Sequence, residues 1–199
     1  MLIKICGITS LDDARDAVEA GATALGFNFY ERSPRYIAAA ELARWIGEVP
    51  AGVLRVGVFV NAAPEEVART VALCGLDVAQ LHGAAAGPAG VRTWLVRNVD
   101  GSFRAEHLVE GPEAWLLDAP AGALHGGTGA TFDWTRVQGL ARRIVLAGGL
   151  DASNVAQAIE VVKPWGVDAC SRLEASPGRK DRARVAAFVA AAQEAARRI

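Results

Sequence analysis

The hydrophobic positions of the chain fall into short runs separated by amphipathic stretches. Eight runs are rich in strand-favouring residues, and several are apolar at nearly every position rather than at alternate positions. Strands that are buried on both faces of a parallel sheet have this pattern, whereas a strand with one face in water alternates. The predicted strands cover residues 2–5, 24–29, 54–60, 78–81, 93–96, 114–117, 144–147 and 166–170.

The stretches between the strands predict helices that cover the sheet. Ser10 is expected to cap the first helix, with Asp13 in an acidic first turn, and Gly21 is expected to end it. Pro64 is in a favoured position to open another helix, which Gly75 would close. Further helical patterns cover residues 39–48, 152–162 and 182–199.

Strand–helix units spaced by about 25 residues predict a small (β/α)8 barrel of the α/β class. Residues 84–91 and 103–109 have room for only a turn or two, so some outer helices are expected to be short. The competing fold is a doubly wound open sheet, but that fold usually has about five or six strands, and no GxGxxG follows the first strand. We therefore predict one barrel domain over residues 1–199.

The composition of the chain limits which partners the protein can bind and where in the cell it is expected. The 199 residues are 52% hydrophobic, and 21 Lys+Arg oppose 22 Asp+Glu, which argues against a disordered chain and against a nucleic-acid binder. The longest apolar runs are too short for a membrane helix, and the N-terminus lacks a secretory signal pattern. Three cysteines without a CxxC pair and three scattered histidines predict neither disulfides nor a metal site. We expect a cytoplasmic protein.

In a barrel of this kind the functional groups lie where strands end. Cys6 ends the first strand and is either a small buried hydrophobic residue or a thiolate that acts as a general base. Asp118 ends the sixth, where apolar neighbours would raise its pKa towards that of a usable acid, unless it only caps the next loop. Asp133 is expected to cap a helix start. Arg35 follows the second strand and could bind a carboxylate through two hydrogen bonds, although most surface arginines do nothing so specific.

Two glycine-rich loops follow strands six and seven. The first contains Gly127 and Gly129, and the second contains Gly148 and Gly149. Glycine lets backbone N–H groups approach an anion closely, and a helix start just beyond adds a favourable dipole. A single pair of glycines is usually only a turn, but two such loops around strands six to eight predict a phosphate site.

These residues lie in segments that resemble the phosphoribosylanthranilate isomerase family, the aldose–ketose isomerases of tryptophan biosynthesis. The resemblance runs in order from the first strand to the eighth, which makes it far more specific than any one segment. The matching segments are residues 4–9, 26–27 with 33–37, 56–59, 80–83, 126–134, 147–150, and 166–168 with 177–178.

The resemblance implies a cofactor-free Amadori rearrangement of a phosphosugar substrate. It implies that Asp118 is the general acid that protonates the ribose ring oxygen and that Cys6 is the base that removes the C2′ proton. Arg35 would hold the anthranilate carboxylate. The phosphate would lie against backbone N–H groups of both glycine loops and of the loop after strand eight, which contains Ser171 and Arg172. The protein is expected to be a monomer or a homodimer.

One departure from the family pattern lies after strand eight. The family usually has two serines and a glycine there, whereas this chain has Cys170, Ser171 and Arg172. Arg172 either adds backbone strain and bulk or pairs its charge with the phosphate. This departure leaves open an inactive phosphosugar-binding or scaffold barrel. A second alternative is another phosphosugar barrel enzyme of aromatic or histidine biosynthesis, which would share the phosphate loops but not the pair of Cys6 and Asp118.

Overall fold

Eight parallel strands close into a barrel in sequence order in a computed structural model that describes residues 1–84, 86–120 and 131–199. All eight predicted strands are present, and their ends differ from the prediction by at most two residues. The predicted (β/α)8 barrel is therefore confirmed. The barrel strands are β1 (Leu2–Cys6), β2 (Ala24–Asn28), β3 (Leu54–Val60), β4 (Val78–His82), β5 (Thr93–Asn98), β6 (Ala114–Asp118), β7 (Ile144–Leu146) and β8 (Gly166–Ala169).

The barrel strands divide their side chains between two cores. Side chains alternate across a strand, so one set points into the barrel and the other packs against the helices. Leu2 lies in the inner cluster, and therefore Lys4 and Cys6, at alternate positions further along β1, also point inward. The inner cluster consists of Leu2, Ala24, Val56, Val78, Trp94, Ala114, Leu116, Val145 and Ala147.

Helices cover the outside of the barrel. The first begins as predicted, because the Ser10 hydroxyl accepts a hydrogen bond from the Asp13 N–H at 3.2 Å. The third ends at Gly75, whose φ of +58° is the left-handed conformation that glycine adopts without strain. No helix in the described part of the chain is both long and apolar enough to cross a bilayer. The α-helices are α1 (Leu11–Glu19), α2 (Ala39–Leu42), α3 (Pro64–Cys74), α4 (Val155–Val162) and α5 (Arg182–Ala196).

The helix predicted over residues 39–48 is wrong in its length. The chain forms only α2 and then a 3-10 turn over Ile46–Glu48. Between them, Trp45 leaves helical geometry, with φ −132° and ψ −8°, and its ring packs edge-on against Phe27 at 5.8 Å between centroids. Packing on the sheet has overridden the local helical pattern.

Two other segments that connect barrel strands contain less helix than a full outer helix. The helix predicted from residue 152 begins only at Val155, because the Asp151 carboxylate accepts the Ser153 N–H and holds this segment in a turn. The segment 103–109 contains only a 3-10 turn, as expected. Asp133 caps the 3-10 turn Trp134–Val137, and its carboxylate accepts the Thr135 N–H at 3.0 Å.

A small hairpin follows β8 that the sequence did not predict. It consists of β9 (Glu174–Ser176) and β10 (Arg179–Lys180), and a 3-10 turn precedes it. Gly178 in its turn has φ +83°, and a Cβ there would lie 2.7 Å from the Pro34 carbonyl oxygen. The hairpin therefore packs closely on the loop after β2, and its Glu174 and Lys180 side chains lie next to Arg35 and Cys170 respectively.

Candidate active site

Ionisable side chains gather at the carboxyl end of the barrel. Cys6 ends β1 and Asp118 ends β6, while Asp168 lies on β8 and Cys170 follows it. Asp118, Asp168 and Cys170 line one cleft, and the charge of the Cys6 sulfur contributes to the pKa of both carboxyl groups. Barrel closure thus brings the two predicted catalytic residues, Cys6 and Asp118, to the same end of the barrel, although they are 112 residues apart in the sequence.

A buried ion pair that the sequence analysis missed lies below Cys6. Lys4 is fully buried, and its Nζ lies 2.8 Å from Asp168 Oδ1. Burial opposes the charge on Lys4, yet Asp168 and the Cys6 sulfur raise the pKa of Lys4 above its ordinary value. Burial raises the pKa of Asp168 to about 7, against the effect of Lys4. A lysine in the middle of an otherwise apolar strand, two residues before Cys6, was the available signal.

The surroundings of Cys6 favour its thiolate. The pKa of Cys6 lies well below its ordinary value, because Cys170 hydrogen-bonds to its sulfur and the charges of Lys4 and Lys180 stabilise the anion. Burial works in the opposite direction. Gly26 leaves room for this arrangement, since a Cβ there would lie 2.8 Å from the Cys6 sulfur and 2.9 Å from Lys4 Nζ. Cys6 is thus placed to accept a proton.

The pKa of Asp118 is shifted in the opposite direction to that of Cys6. Burial raises its pKa to about 6, although the Ala119 N–H donates a hydrogen bond of 2.8 Å to Oδ1 and stabilises the charged form. The negative charge on Cys6 also raises the pKa of Asp118, and Lys4 lowers it. The direction agrees with the expectation from the apolar strand that precedes Asp118. A carboxyl group with this pKa is partly protonated near neutral pH and can donate a proton.

Arg35 is held in place by a carboxylate rather than exposed on its own. Its Nε and Nη2 donate to the two Glu174 oxygens at 2.8 Å each, and Lys180 Nζ approaches Glu174 Oε1 at 3.0 Å. The Glu174 and Lys180 side chains are almost fully buried. The fork to Glu174 uses two of the five N–H donors of the guanidinium, so the others can face a ligand. Glu174 and Lys180 both belong to the hairpin that the sequence did not predict.

The glycine loop after β7 requires glycine. Gly148 has φ +88° and Gly149 has φ +59°. A Cβ on Gly148 would lie 2.6 Å from the Ala119 nitrogen and 3.1 Å from Asp118 Oδ1. The bare backbone therefore lets this loop pack directly against the end of β6 and reach the same cleft as Asp118.

The loop after β8 completes the described part of the cleft. Ser171 and Arg172 line it together with Gly148 and Gly149. They form a 3-10 turn, and the first N–H groups of such a turn have no acceptor within it, which suits an anion. The predicted contacts of Gly127 and Gly129 lie outside the described residues. Among the described residues, no three His, Cys, Asp or Glu side chains are placed to hold a metal ion.

Arg172 bonds to a neighbouring loop. Its Nη1 lies 2.7 Å from Asp151 Oδ2, and the side chains are 40% and 23% exposed, so water screens this pair. In the described part of the chain, the non-glycine residues with positive φ are Asn61 and Lys163, and Arg172 is not among them. Arg172 therefore does not have the positive φ that the backbone-strain interpretation requires.

The sequence matches one protein family over nearly its whole length. The family model described as "N-(5'phosphoribosyl)anthranilate (PRA) isomerase" matches residues 3–191. An N-(5'-phosphoribosyl)anthranilate isomerase of Solibacter usitatus (strain Ellin6076) is 48% identical over 199 residues, which cover 98% of each chain.

Solved structures give the same result at the level of the fold. A phosphoribosyl anthranilate isomerase from Thermus thermophilus superposes with a TM-score of 0.88 at 32% identity and covers 98% of this chain and 99% of its own. A second phosphoribosyl anthranilate isomerase, solved in complex with reduced 1-(o-carboxyphenylamino)-1-deoxyribulose 5-phosphate, has a TM-score of 0.82 at 35% identity, with coverage of 98% and 100%.

Proposed function

The chain belongs to the N-(5'-phosphoribosyl)anthranilate isomerase family, and from this premise we propose that Cys6 and Asp118 perform the proton transfers of the family's reaction. That reaction is the Amadori rearrangement of N-(5-phosphoribosyl)anthranilate to 1-(2-carboxyphenylamino)-1-deoxyribulose 5-phosphate in tryptophan biosynthesis. One observation carries the assignment. Two ionisable groups at the same barrel mouth have pKa values displaced in opposite directions, which separates an acid from a base.

Asp118 is assigned the first proton transfer. Its carboxyl proton passes to the furanose ring oxygen, the bond between that oxygen and C1′ breaks, and the anthranilate nitrogen lone pair forms the C1′–N double bond of an iminium. This step needs a carboxyl group that is still partly protonated near neutral pH, and burial provides it by raising the pKa of Asp118 to about 6. An ordinary exposed aspartate would be almost fully ionised there.

Cys6 is assigned the second proton transfer. Its thiolate removes the proton from C2′, and the electron pair of that bond moves towards the iminium to give an enolamine, which tautomerises to the ketone. A proton next to an iminium is acidic enough for a modest base. Lys4 is a positioning residue in this scheme, because its buried ammonium stabilises the thiolate and Asp168 holds that ammonium in place at 2.8 Å.

The two ends of the substrate carry negative charge, and each is assigned a part of the rim. The phosphate is assigned to backbone N–H groups around Gly148, Gly149 and Ser171, with Arg172 beside them. The anthranilate carboxylate is assigned to Arg35, with Glu174 keeping the guanidinium oriented. This placement leaves the ribose between the two ends, over Cys6 and Asp118.

Replacing Arg35 by alanine is expected to raise KM about tenfold and to change kcat much less. The substrate carboxylate is bound in both the ground state and the transition state, so loss of the Arg35 guanidinium weakens binding in both states. Steady-state kinetics with phosphoribosylanthranilate measure this split. Arg32→Ala is the matched control, because Arg32 is an exposed arginine of the same loop. An unaltered KM in the Arg35 variant would place the carboxylate elsewhere.

Arg172 and Asp151 provide a paired test of the phosphate assignment. Arg172→Ala is expected to raise KM several-fold, because a cation beside the phosphate is lost. Asp151→Asn is expected to lower KM, because it removes the negative charge that lies 2.7 Å from Arg172 and offsets the attraction of Arg172 for the phosphate. Added salt should weaken the effect of both substitutions. If the two variants move KM in the same direction, the charge of Arg172 does not serve the phosphate.

The function itself is tested with the purified protein and phosphoribosylanthranilate, by following the loss of the substrate's fluorescence. We expect turnover without an added cofactor. Binding of the reduced product analogue without turnover would favour an inactive phosphosugar-binding barrel. Turnover of a different phosphosugar, with none of phosphoribosylanthranilate, would favour another barrel enzyme of aromatic or histidine biosynthesis.

The cytoplasm remains the proposed compartment. All three cysteines are free thiols, and one of them is assigned a catalytic role as a thiolate, which a reducing environment preserves.

A further inference from the structure

Cys6 is the last residue of β1 and Cys170 is the first residue after β8, so the two lie beside each other where these strands close the barrel. β1 and β8 pair in parallel, and their register sets Ile5 opposite Ala169. Cys6 and Cys170 are the next residues on each side. Neighbouring strands are about 4.8 Å apart, and disulfides join residues whose Cα atoms are about 4.4–6.8 Å apart. The backbone spacing at this position therefore suits a disulfide.

The two side chains point to the same side of the sheet. Lys4 and Asp168, two residues earlier on the same strands, face each other inside the barrel at 2.8 Å. Because side chains alternate along a strand, the residues two positions further on face each other as well. Cys6 and Cys170 meet this expectation, since their side chains share a hydrogen bond.

Small residues leave the two sulfurs free to approach. A Cβ on Gly26 would lie 2.8 Å from the Cys6 sulfur, and a Cβ on Gly7 would lie 3.0 Å from the Cys170 sulfur. No side chain from either position therefore stands against the thiols.

Positive charge around the pair favours reaction of one thiol with an oxidant. Lys180 Nζ lies 3.8 Å from the Cys170 sulfur, and Lys4 stabilises the Cys6 anion from below. The pKa of Cys6 is lowered. The pKa of Cys170 is raised, because Cys170 is buried and hydrogen-bonds to Cys6. Cys6 is thus the nucleophile of the pair, and Cys170 keeps the proton.

Access limits which oxidant can react. Cys6 is only 9% exposed, while Cys170 lines the open cleft. A small peroxide can reach such a sulfur, but a bulky peptide disulfide would need more open space around the sulfur that it contacts.

We propose that Cys6 and Cys170 form an oxidisable thiol pair, which hydrogen peroxide converts into a disulfide at the mouth of the barrel. The Cys6 thiolate attacks one peroxide oxygen, the O–O bond breaks, and hydroxide leaves, so the sulfur is oxidised to a sulfenic acid and the peroxide is reduced. The Cys170 sulfur then forms the S–S bond while the S–O bond breaks, and its thiol proton leaves with the hydroxide as water. The disulfide removes the thiolate that serves as base, so oxidation stops turnover until a dithiol reduces the bond.

This inference rests on the proposed function only for its activity readout, because the disulfide is also detected by mass. The whole protein is treated with hydrogen peroxide, quenched with catalase, denatured and alkylated. The number of free thiols is expected to fall from three to one, with a mass loss of about 2 Da before alkylation and with the peptides of Cys6 and Cys170 joined. Dithiothreitol should restore both the thiols and the turnover.

Two variants separate the pair from general thiol damage. In Cys170→Ser the sulfenic acid has no partner, so peroxide should drive Cys6 to a sulfinic acid with a gain of about 32 Da and an activity loss that dithiothreitol does not reverse. Activities are compared with the same variant before treatment. Cys74→Ser is the matched control, because Cys74 lies at the end of α3 and contacts the Ala39 carbonyl outside the barrel. It should behave like the unaltered protein.

The inference fails if peroxide gives no linked Cys6–Cys170 peptide, or if dithiothreitol restores Cys170→Ser as fully as the unaltered protein. In either case normal turnover of phosphoribosylanthranilate would leave the proposed function intact. A linked peptide in a protein without turnover would support the thiol pair and remove the proposed function.

Discussion

Cys6→Ala is expected to lower kcat by at least about 100-fold, the size of effect typical for the loss of a positioned general base. The thiolate is stabilised by the hydrogen bond from Cys170 and by the charges of Lys4 and Lys180, and alanine removes the sulfur that they stabilise. Rates are measured by the loss of substrate fluorescence. Binding of the reduced product analogue should change by less than about twofold, because little contact area is lost.

Cys6→Ser is the control that separates basicity from contact. A serine hydroxyl keeps a polar group at the same position but does not ionise near neutral pH, so this variant should be nearly as slow as the alanine variant. If either variant retains near-normal turnover, Cys6 is not the base.

Asp118→Asn is expected to have a comparable effect for a different reason. Asparagine has almost the same shape, and its carbonyl oxygen can still accept the Ala119 N–H that Asp118 Oδ1 accepts at 2.8 Å. It has no carboxyl proton to give to the ring oxygen, so kcat should fall by at least about 100-fold while analogue binding is preserved. Turnover close to that of the unaltered protein would exclude Asp118 as the acid.

The pH dependence gives an independent check on Asp118. Only the protonated carboxyl can act as an acid, and its pKa is raised to about 6. In the unaltered protein kcat/KM should therefore fall about tenfold per pH unit above that value, because each unit removes nine-tenths of the remaining acid. The residual activity of the asparagine variant should lack this decline.

The same substitution is expected to stabilise the fold at high pH. Between the ordinary pKa of 3.8 and the folded-state value of about 6, the folded protein binds more protons at Asp118 than the unfolded chain does. The free energy of unfolding therefore falls as the pH rises through this range, and stays lower above it. The asparagine side chain of the variant does not titrate, so denaturant unfolding should show no gain at pH 3 and a gain on the order of 2 kcal/mol at pH 8. An equal difference at both pH values would contradict a raised pKa.

Much of the barrel could be predicted from local patterns. Short runs of apolar, strand-favouring residues identified all eight barrel strands, and capping residues such as Ser10 and Gly75 marked helix ends correctly. Parallel strands place their carboxyl ends at one edge, so the positions of Cys6 and Asp118 at strand ends were enough to place both at the same mouth of the barrel. The pattern over residues 39–48 failed, because packing of Trp45 on Phe27 depends on a strand that is distant in sequence.

The environment that gives these residues their chemistry depends on tertiary structure. Lys4 and Asp168 are 164 residues apart, and Arg35 and Glu174 are 139 apart, so no periodicity relates them. Their pairing follows from the closure of β8 onto β1 and from the hairpin after β8. Burial and charge act over a few ångströms of space rather than along the chain, and therefore the raised pKa of Asp118 and the lowered pKa of Cys6 exist only in the closed barrel. The sequence determined where the reactive groups stand on their strands, while the fold decided which charges surround them, because a strand's local pattern carries no information about its neighbours across the barrel.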